Sequence, residues 1–224
     1  MTFHIITLFP ETIEPYLKSS IVGRARTKKL VKVKYYDLRR FASSKHKKVD
    51  DRPYGGGPGM VIQVELVIKA IQSAKSKIGR EKAGIILFSA AGKQFNNKTV
   101  PRLLESYNHL ILICGRYEGI DERVKRILKN QKLQIEELSV GPYVLTGGEL
   151  PAMIFIDTVS RQIKGVLGKE ESLEEKRLGV GVPVYTRPEI FAYRGKKYRV
   201  PKVLLSGDHA KTEAWRRKHK KLAS

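Results

Sequence analysis

Short apolar runs along the chain alternate with longer stretches in which apolar residues recur every three or four positions. The short runs are typical of buried strands and cover residues 3–9, 31–36, 84–88 and 110–114, with a further extended piece near residues 143–145. The longer stretches predict helices near residues 65–76, 99–106, 121–129 and 150–163. Strands that alternate with helices predict an α/β fold with a largely parallel sheet.

Three segments rich in glycine and proline interrupt this pattern, at residues 49–60, 110–123 and 137–151. Glycine allows close backbone approach and positive φ, and proline fixes φ and removes an amide donor. The second segment starts as an apolar run, breaks at Gly115 and continues as a helix with Asp121 and Glu122 in its first turn. Because functional loops of open α/β sheets lie at the carboxyl ends of strands, we expect shaped loops whose backbone groups and apolar walls could bind a flat heterocycle.

Other interpretations of these segments stay open. The first segment has no Lys-Ser/Thr of a P-loop, and no G-x-G-x-x-G follows a strand there, so it is not a nucleotide fingerprint. It could be a flexible linker, although its Tyr54, Met60 and two prolines favour an ordered loop. The third segment could be an ordinary tight connection between a strand and a helix.

The charge indicates a polyanionic partner. Lys and Arg number 44 against 22 Asp and Glu, a net charge of +22, and nucleic acid is the partner that best explains such an excess. A general surface charge is the alternative. Cations cluster at residues 24–48 and in the tail from Lys211. Trp215 or the pair Tyr35 and Tyr36 could stack on bases, but we favour packing in a small core for Trp215.

Composition also limits the class of protein. The 224 residues, 41% of them hydrophobic, suffice for one core plus a small appendage, and no run approaches the roughly 18 apolar residues of a membrane span. The first residues lack the basic region of a signal peptide, so we expect a cytoplasmic protein. One cysteine excludes an internal disulfide, and Cys114 is predicted to be a small buried hydrophobe. No Cys/His spacing suggests a zinc site, and no metal ligand set is predicted.

Domain boundaries are predicted from changes in amino-acid composition along the chain. Residues 169–177 are dense in charge and form a candidate linker, after which proline and tyrosine become frequent. We therefore predict one domain at residues 1–163, an interdomain linker at 164–178 and a small C-terminal domain at 179–224.

Long strings in this chain resemble the bacterial tRNA (guanine-N1)-methyltransferase family, TrmD. The matching strings follow in order over nearly the whole chain, at residues 8–10, 50–60, 114–123, 143–153, 165–168, 185–189 and 203–210. The resemblance implies a knotted methyltransferase of the SPOUT superfamily, with a deep trefoil knot in the α/β domain and a mainly helical C-terminal domain that binds tRNA. It also implies an obligate antiparallel homodimer, S-adenosyl-L-methionine as cofactor, and methylation of N1 of the guanosine 3′ to the anticodon.

The resemblance also assigns site residues. The cofactor pocket would be formed by Ser89, Gly115, Gly119, Val140, Gly141, Pro142, Tyr143, Val144, Leu145, Gly147 and Gly148. At Ser89 this chain departs from the family, since Ala90 stands where proline is usual. The RNA contacts would be Arg52, Tyr54, Arg187, His209 and Trp215. Glu118 matches a family carboxylate near the methionine part of the cofactor and could help to hold Mg²⁺.

In the catalytic residues the chain departs from the family pattern a second time. Arg161 matches the family arginine at the target guanine, although Asp157, four residues earlier on the same helix, allows an ordinary surface ion pair. The family's proposed aspartate base is missing from the segment after residue 168. Ungapped counting places Lys176 there, and a shift of one residue places Glu175 there. Since a glutamate is ionised by default, we hypothesise that Glu175 is the base, with Glu174 as fallback and a solvated charged linker as the alternative.

Two other functions stay open from the sequence. The missing aspartate and a C-terminal domain that looks shortened allow a related knotted rRNA methyltransferase. The charge alone also fits a non-catalytic basic RNA-binding protein.

Overall fold

A five-stranded parallel sheet organises the larger part of the chain in the computed structural model, which describes residues 1–168 and 181–219. The strands in this part are β1 (Thr2–Thr7), β2 (Lys32–Asp37), β3 (Asp50–Asp51), β4 (Val61–Ile62), β5 (Ala83–Gln94), β6 (His109–Ile113) and β7 (Ile135–Ser139). The sheet has the order β2-β1-β6-β5-β7, and all of its neighbours pair in parallel. The short strands β3 and β4 form a separate antiparallel pair.

Helices cover both faces of this sheet. They are α1 (Pro10–Lys18), α2 (Ser20–Thr27), α3 (Val64–Ile78), α4 (Val100–Ser106), α5 (Arg123–Asn130) and α6 (Glu149–Ser160). Phe3 of β1 belongs to a core shared with α1, α2, α4 and α6, whereas Ile6 of the same strand packs in a second core with α3 and α5. Strands buried on both faces explain the continuous apolar runs in the sequence. Of the helices that the structure describes, none has both the length and the apolar character to cross a membrane.

The predicted α/β fold with a mostly parallel sheet is confirmed, but some elements differ from the prediction. The prediction of an extended piece near residues 143–145 is wrong, because these residues lie in the turns that follow β7. The fifth strand is instead β7, whose central Glu136 and Glu137 hide the apolar pattern. The helices α1 and α2 were not predicted either.

The chain divides into two compact units, Met1–Leu167 and Gly168–Ser224. In the second unit, the described residues form a hairpin of β8 (Ile190–Tyr193) and β9 (Lys196–Arg199), followed by α7 (His209–Lys218). The sequence did not predict this hairpin. The proposed bounds 1–163, 164–178 and 179–224 and the mainly helical character of the last domain stay predictions, because residues 169–180 and 220–224 lie outside the described part.

Candidate functional site

A cavity of about 400 Å³ opens at the carboxyl ends of β5, β6 and β7. This is the edge at which open parallel sheets carry their binding loops, and the volume lies within the range of roughly 300–1,000 Å³ that is usual for small-molecule sites. Its walls come from the middle of β5, where the pairing with β7 is interrupted, from the end of β7, from the loop after β6 and from the loop between β7 and α6, at residues 87–91, 115–120, 137–141 and 143–148.

The loops after β6 and β7 are joined directly through their backbones. The Gly148 amide donates to the Gly115 carbonyl at 2.8 Å, and Arg116 and Gly147 form an antiparallel bridge. A Cβ atom on Gly148 would lie 2.6 Å from the Cα atom of Cys114, closer than any side chain allows. Glycine at position 148 is therefore required by the close approach of the two loops.

A buried carboxylate fastens this junction to the first strand. Glu149, the first residue of α6, is almost completely buried. Its Oε1 accepts a hydrogen bond from the Thr7 hydroxyl at 2.7 Å, and its Oε2 accepts one from Arg116 Nε at 2.9 Å. The Arg116 guanidinium also lies over the Phe9 ring, 4.6 Å from its centre. One charge-assisted network thus connects β1, the loop after β6 and the start of α6.

The turn after β7 has its own internal hydrogen bonds. Ser139 Oγ donates to the Gly141 carbonyl at 2.8 Å, and the Tyr143 amide donates to the same carbonyl at 2.9 Å. The Tyr143 hydroxyl donates to the Val140 carbonyl at 3.1 Å, so its ring folds back over the turn. A Cβ atom on Gly141 would collide with that ring. The position of the aromatic wall therefore depends on glycine at 141.

The segment at residues 49–60 contacts the cavity wall through its last residues. The Glu118 amide donates to the Met60 carbonyl at 3.0 Å, and the Ile62 amide donates to the Gly119 carbonyl at 3.0 Å. The chain reverses with positive φ at Tyr117 (60°) and Gly119 (123°). A Cβ atom on Gly59 would collide with the Glu118 side chain, so this segment packs closely against the wall of the cavity. For the rest of the segment, the ordered loop favoured by the sequence stays a prediction.

A charged group closes one side of the cavity. The Lys125 ammonium lies 2.8 Å from Glu137 and 2.9 Å from Glu122. Burial alone would lower the pKa of Lys125, but the hydrogen bonds from these two carboxylates outweigh it and raise the pKa. This lysine therefore stays charged and is not a general base at neutral pH.

Most of the predicted cofactor residues come together around this cavity. It is lined by Ser89, Gly115, Glu118, Gly119, Val140, Gly141, Tyr143, Val144, Leu145, Gly147 and Gly148. Pro142 does not line the cavity and is exposed within the turn. Among the described residues, no group of three or more His, Cys, Asp or Glu is placed to hold a metal ion.

The predicted catalytic residues are distributed differently. Arg161 follows the last turn of α6 and does not line the cavity, and its amide donates to the Asp157 carbonyl at 3.0 Å. The Asp157 carboxylate accepts a hydrogen bond from the Tyr16 hydroxyl at 2.7 Å, which raises the pKa of Tyr16 to about 12. Glu174, Glu175 and Lys176 lie outside the described residues.

The predicted RNA residues are mostly on the surface. The side chains that are exposed include Arg52, Arg187 and His209. Tyr54 is fully exposed to solvent. Trp215 is half-buried and stacks on the exposed His219 with ring centres 4.2 Å apart, so its packing in a small core stays a prediction.

The prediction that RNA bases could stack on Tyr35 and Tyr36 is wrong. Tyr36 is buried, and the Tyr35 hydroxyl donates to Glu14 at 2.6 Å from a partly buried ring. Neither ring face is therefore presented to a base, although both tyrosines occur in a cationic segment of the sequence.

Two residues near the cavity had no assigned role in the sequence analysis. Thr7 and Glu149 are far apart along the chain, and Glu149 precedes the helix predicted at residues 150–163, so no pattern in the sequence indicated their contact. Cys114 is fully buried, as predicted, and burial raises the pKa of its thiol. A reactive cysteine is therefore excluded at this site.

Comparison with known proteins matches the whole chain to one family. The sequence model described as "tRNA (Guanine-1)-methyltransferase TrmD" matches residues 1–224. A tRNA (guanine-N(1)-)-methyltransferase of Dictyoglomus turgidum is 46% identical over 217 residues, which cover 96% of this chain and 82% of the relative. The enzymes of the same name from Carboxydothermus hydrogenoformans and Pasteurella multocida are 45% and 46% identical, over 97% and 96% of this chain and 82% and 85% of their own lengths. The chain thus belongs to the tRNA (guanine-1)-methyltransferase TrmD family.

Proposed function

We propose that this chain methylates N1 of the guanosine 3′ to the anticodon in tRNA, with S-adenosylmethionine as methyl donor. The observation that carries the proposal is the cavity at the ends of β5, β6 and β7, whose lining includes nearly all the residues that the family resemblance assigns to the cofactor. Family membership over residues 1–224 supports the reaction and the substrate.

The residues present fit the cofactor. Gly141, Gly147 and Gly148 let the Tyr143 ring, the Arg116 side chain and the backbone at Cys114 pack closely around the cavity, which holds its wall in place for a flat adenine. Val140, Tyr143 and Leu145 supply the apolar surface that most small-molecule sites need. When bound, S-adenosylmethionine supplies a methyl group that is already activated as a sulfonium. The protein then has to orient the two reactants and remove the N1 proton.

Proton removal is assigned to residues that follow the cavity-lining loops in the sequence. Glu175 accepts the guanine N1 proton in this proposal, and Arg161 stabilises the charge that develops on the base. Support comes from the family match of Arg161 and from the ordinary ionisation of a glutamate at neutral pH. Glu118 lies at the cavity wall, where it helps to hold the methionine part of the cofactor. In the same proposal Glu118 also helps to bind a magnesium ion.

A deep trefoil knot belongs to the proposal as well. It is supported by the close approach of the two loops at Gly115 and Gly148, whose backbones are hydrogen-bonded at 2.8 Å. The proposed domains are a knotted cofactor-binding domain at 1–163, a linker at 164–178 and a small tRNA-binding, mainly helical domain at 179–224. A cytoplasmic location accords with a tRNA substrate.

A homodimer is proposed as the working unit. Its support is a group of exposed apolar side chains beside the cavity and on α6, at Tyr143, Val144, Leu150 and Ile154. Apolar residues grouped on one surface of this kind are typical of a protein contact. The group adjoins the cavity, so a second copy bound there would lie next to the cofactor.

The test is a methylation assay with whole tRNA transcripts, followed by mapping of the modified base. We expect one methyl group at N1 of the guanosine 3′ to the anticodon, and none when that guanosine is replaced by adenosine. Methylation of an rRNA fragment instead would favour the rRNA enzyme. Tight tRNA binding without cofactor affinity would favour a non-catalytic RNA-binding protein.

A pair of glycine variants tests the cofactor site in the same preparation. Gly141→Val should abolish binding of S-adenosylmethionine in calorimetry and leave the fold intact, because the new side chain displaces the exposed Tyr143 ring from the wall. Gly168→Val is the matched control, since a Cβ atom at Gly168 meets nothing within 4 Å among the residues that the structure describes. Unchanged affinity in Gly141→Val would contradict the assignment of the cavity.

A further inference from the structure

The hairpin formed by β8 and β9 presents a row of exposed aromatic rings. The register pairs Phe191 with Tyr198 and Tyr193 with Lys196, so these four side chains share one face. Phe191, Tyr193 and Tyr198 are 57%, 52% and 55% exposed. The Phe191 and Tyr193 rings lie nearly parallel, 12° apart, with centres separated by 6.4 Å. Large apolar rings grouped on one exposed face are typical of a surface that binds a partner.

The backbone holds this aromatic row in a fixed arrangement. The two turn residues, Arg194 and Gly195, have φ of 46° and 73°, as in the tight turns that match the twist of a hairpin. The Val200 amide donates to the Glu189 carbonyl at 3.0 Å and extends the pairing beyond β9. Ring positions on such a scaffold need little further ordering when a ligand binds.

The charge around the rings is almost entirely positive. The Arg194 guanidinium lies 5.3 Å from the centre of the Tyr193 ring, and Lys196 stands beside that ring on the same face. Lys197 and Arg199 occupy the opposite face of the same strand, and Glu189 is the acid next to the hairpin. Protein-binding surfaces are usually poor in lysine, whereas exposed aromatic rings with flanking cations are typical of surfaces that bind single-stranded nucleic acid.

We propose that this hairpin is a base-stacking site for a single-stranded loop of the tRNA substrate. The rings of Phe191, Tyr193 and Tyr198 stack on unpaired bases, and Arg194 and Lys196 neutralise the phosphates next to them. A paired stem does not present its base faces, so the hairpin selects a loop and not a duplex. This proposal rests on the proposed function for the identity of the RNA.

The experiment compares two RNA probes of equal charge, an anticodon stem-loop and a blunt duplex of the same nucleotide number. The variants are Phe191→Leu and Tyr198→Leu, which remove a ring and keep an apolar side chain. We expect each to weaken stem-loop binding by about 5-fold to 100-fold and to change duplex binding by less than about twofold. Tyr198→Phe keeps the ring and should bind the stem-loop like the original protein.

The charge control is Lys197→Gln, on the opposite face. It should weaken both probes alike and lower the slope of log affinity against log salt by about 0.7–0.9. Equal losses on both probes for the ring variants, or no loss, would overturn the stacking proposal. A change of oligomeric state in the ring variants would overturn it too, because the rings would then serve a protein contact.

The two proposals fail in different ways. If the original protein methylates tRNA but the ring variants keep full stem-loop affinity, only the hairpin proposal fails. If the original protein binds the stem-loop through its rings but methylates no tRNA, only the proposed function fails.

Discussion

Two adjacent residues show how much of the site depends on single positions. Gly148 has no room for a side chain, and Glu149 contributes a carboxylate that is buried beside it. The glycine-rich pattern predicted the loops, because glycine marks unusual backbone geometry in the sequence itself. The role of Glu149 could not be predicted, because its partners Thr7 and Arg116 are 142 and 33 positions away.

Loss of the Glu149 charge should therefore destabilise the protein. In Glu149→Gln, the new amide cannot satisfy both the Thr7 hydroxyl and Arg116 Nε, and the guanidinium loses its buried counter-charge. We expect the free energy of unfolding in urea to fall by about 1.5–3 kcal/mol, and the affinity for S-adenosylmethionine to fall with it. Glu65→Gln is the control, since its exposed pair with Lys69 should contribute less than about 1 kcal/mol.

A double-mutant cycle separates this network from simple loss of packing. Once Arg116 is replaced by methionine, Glu149→Gln should cost much less, because no guanidinium is left unpaired. Strictly additive losses would contradict a shared network.

At the scale of elements, the apolar pattern of the sequence predicted the strands that are buried. It missed an element that carries charged residues in its centre. The runs that became β1, β6 and the first half of β5 were recognised because both of their faces are buried, and β2 was recognised although only Tyr36 in it is buried. The edge strand β7 was missed because Glu136 and Glu137 interrupt it, and these acids are balanced in the fold by Arg102 and Lys125. Such pairing between distant elements is not visible in a single sequence.

The missed helices have a similar explanation. In α1 the buried Ile13 and Leu17 stand four positions apart, but Pro15 lies between them and suggests a break. In α2 the buried positions fall in a segment whose cations dominate its composition. Tertiary packing outweighs both local signals.

One polar chain inside the sheet makes stability depend on pH. His4 of β1 is buried, with Nδ1 3.0 Å from the Tyr36 hydroxyl and Nε2 3.0 Å from Nδ1 of His109. His109 in turn lies 3.2 Å from Glu81. Burial first, and then the charges of His109, Lys34 and Lys77, lower the pKa of His4 to about 4.

We therefore expect stability to fall as the pH decreases from about 7 to 5. The unfolded chain takes up a proton near pH 6.5 and the folded chain only near pH 4, so folding is favoured above this window and disfavoured as pH falls through it. The loss from His4 between pH 7 and 5 is on the order of 2 kcal/mol. Urea unfolding at several pH values measures it.

His4→Gln should flatten this part of the pH profile, because the new side chain does not titrate. His46→Gln, at an exposed histidine, should keep the original slope. Identical slopes in His4→Gln and the original protein would rule out His4 as the cause.

At the scale of the whole molecule, the positive charge and the exposed apolar surface are separate features, for which we have proposed separate partners. The net charge of +22 suits RNA, and the exposed apolar group beside the cavity suits a second copy of the chain. The sequence predicted the first from composition. The second depends on which apolar side chains the fold leaves uncovered, so only the family resemblance suggested it.

The proposed dimer can be tested with two leucines of equal exposure. Leu150 on α6 is 48% exposed and Leu205 in the second unit is 47% exposed. Leu150→Lys should shift the mass in light scattering from twice 25.4 kDa to 25.4 kDa, because a buried lysine is costly in an apolar contact. Leu205→Lys should remain dimeric, and a monomer in both variants, or in the original protein, would contradict this interface.

The order of the strands has a consequence for how the protein is made. β1 lies between β2 and β6 in the sheet. Residues 2–6 of β1 pair with residues 109–113 of β6, which are synthesised much later than β2. At a synthesis rate of about 5–20 residues per second, roughly 5–20 s pass before that neighbour leaves the ribosome. During this interval one edge of an apolar strand has unpaired amides and carbonyls, which makes the nascent chain a target for chaperones and for aggregation. The yield of folded protein should therefore depend on translation speed and on chaperone supply more than on the stability of the finished fold.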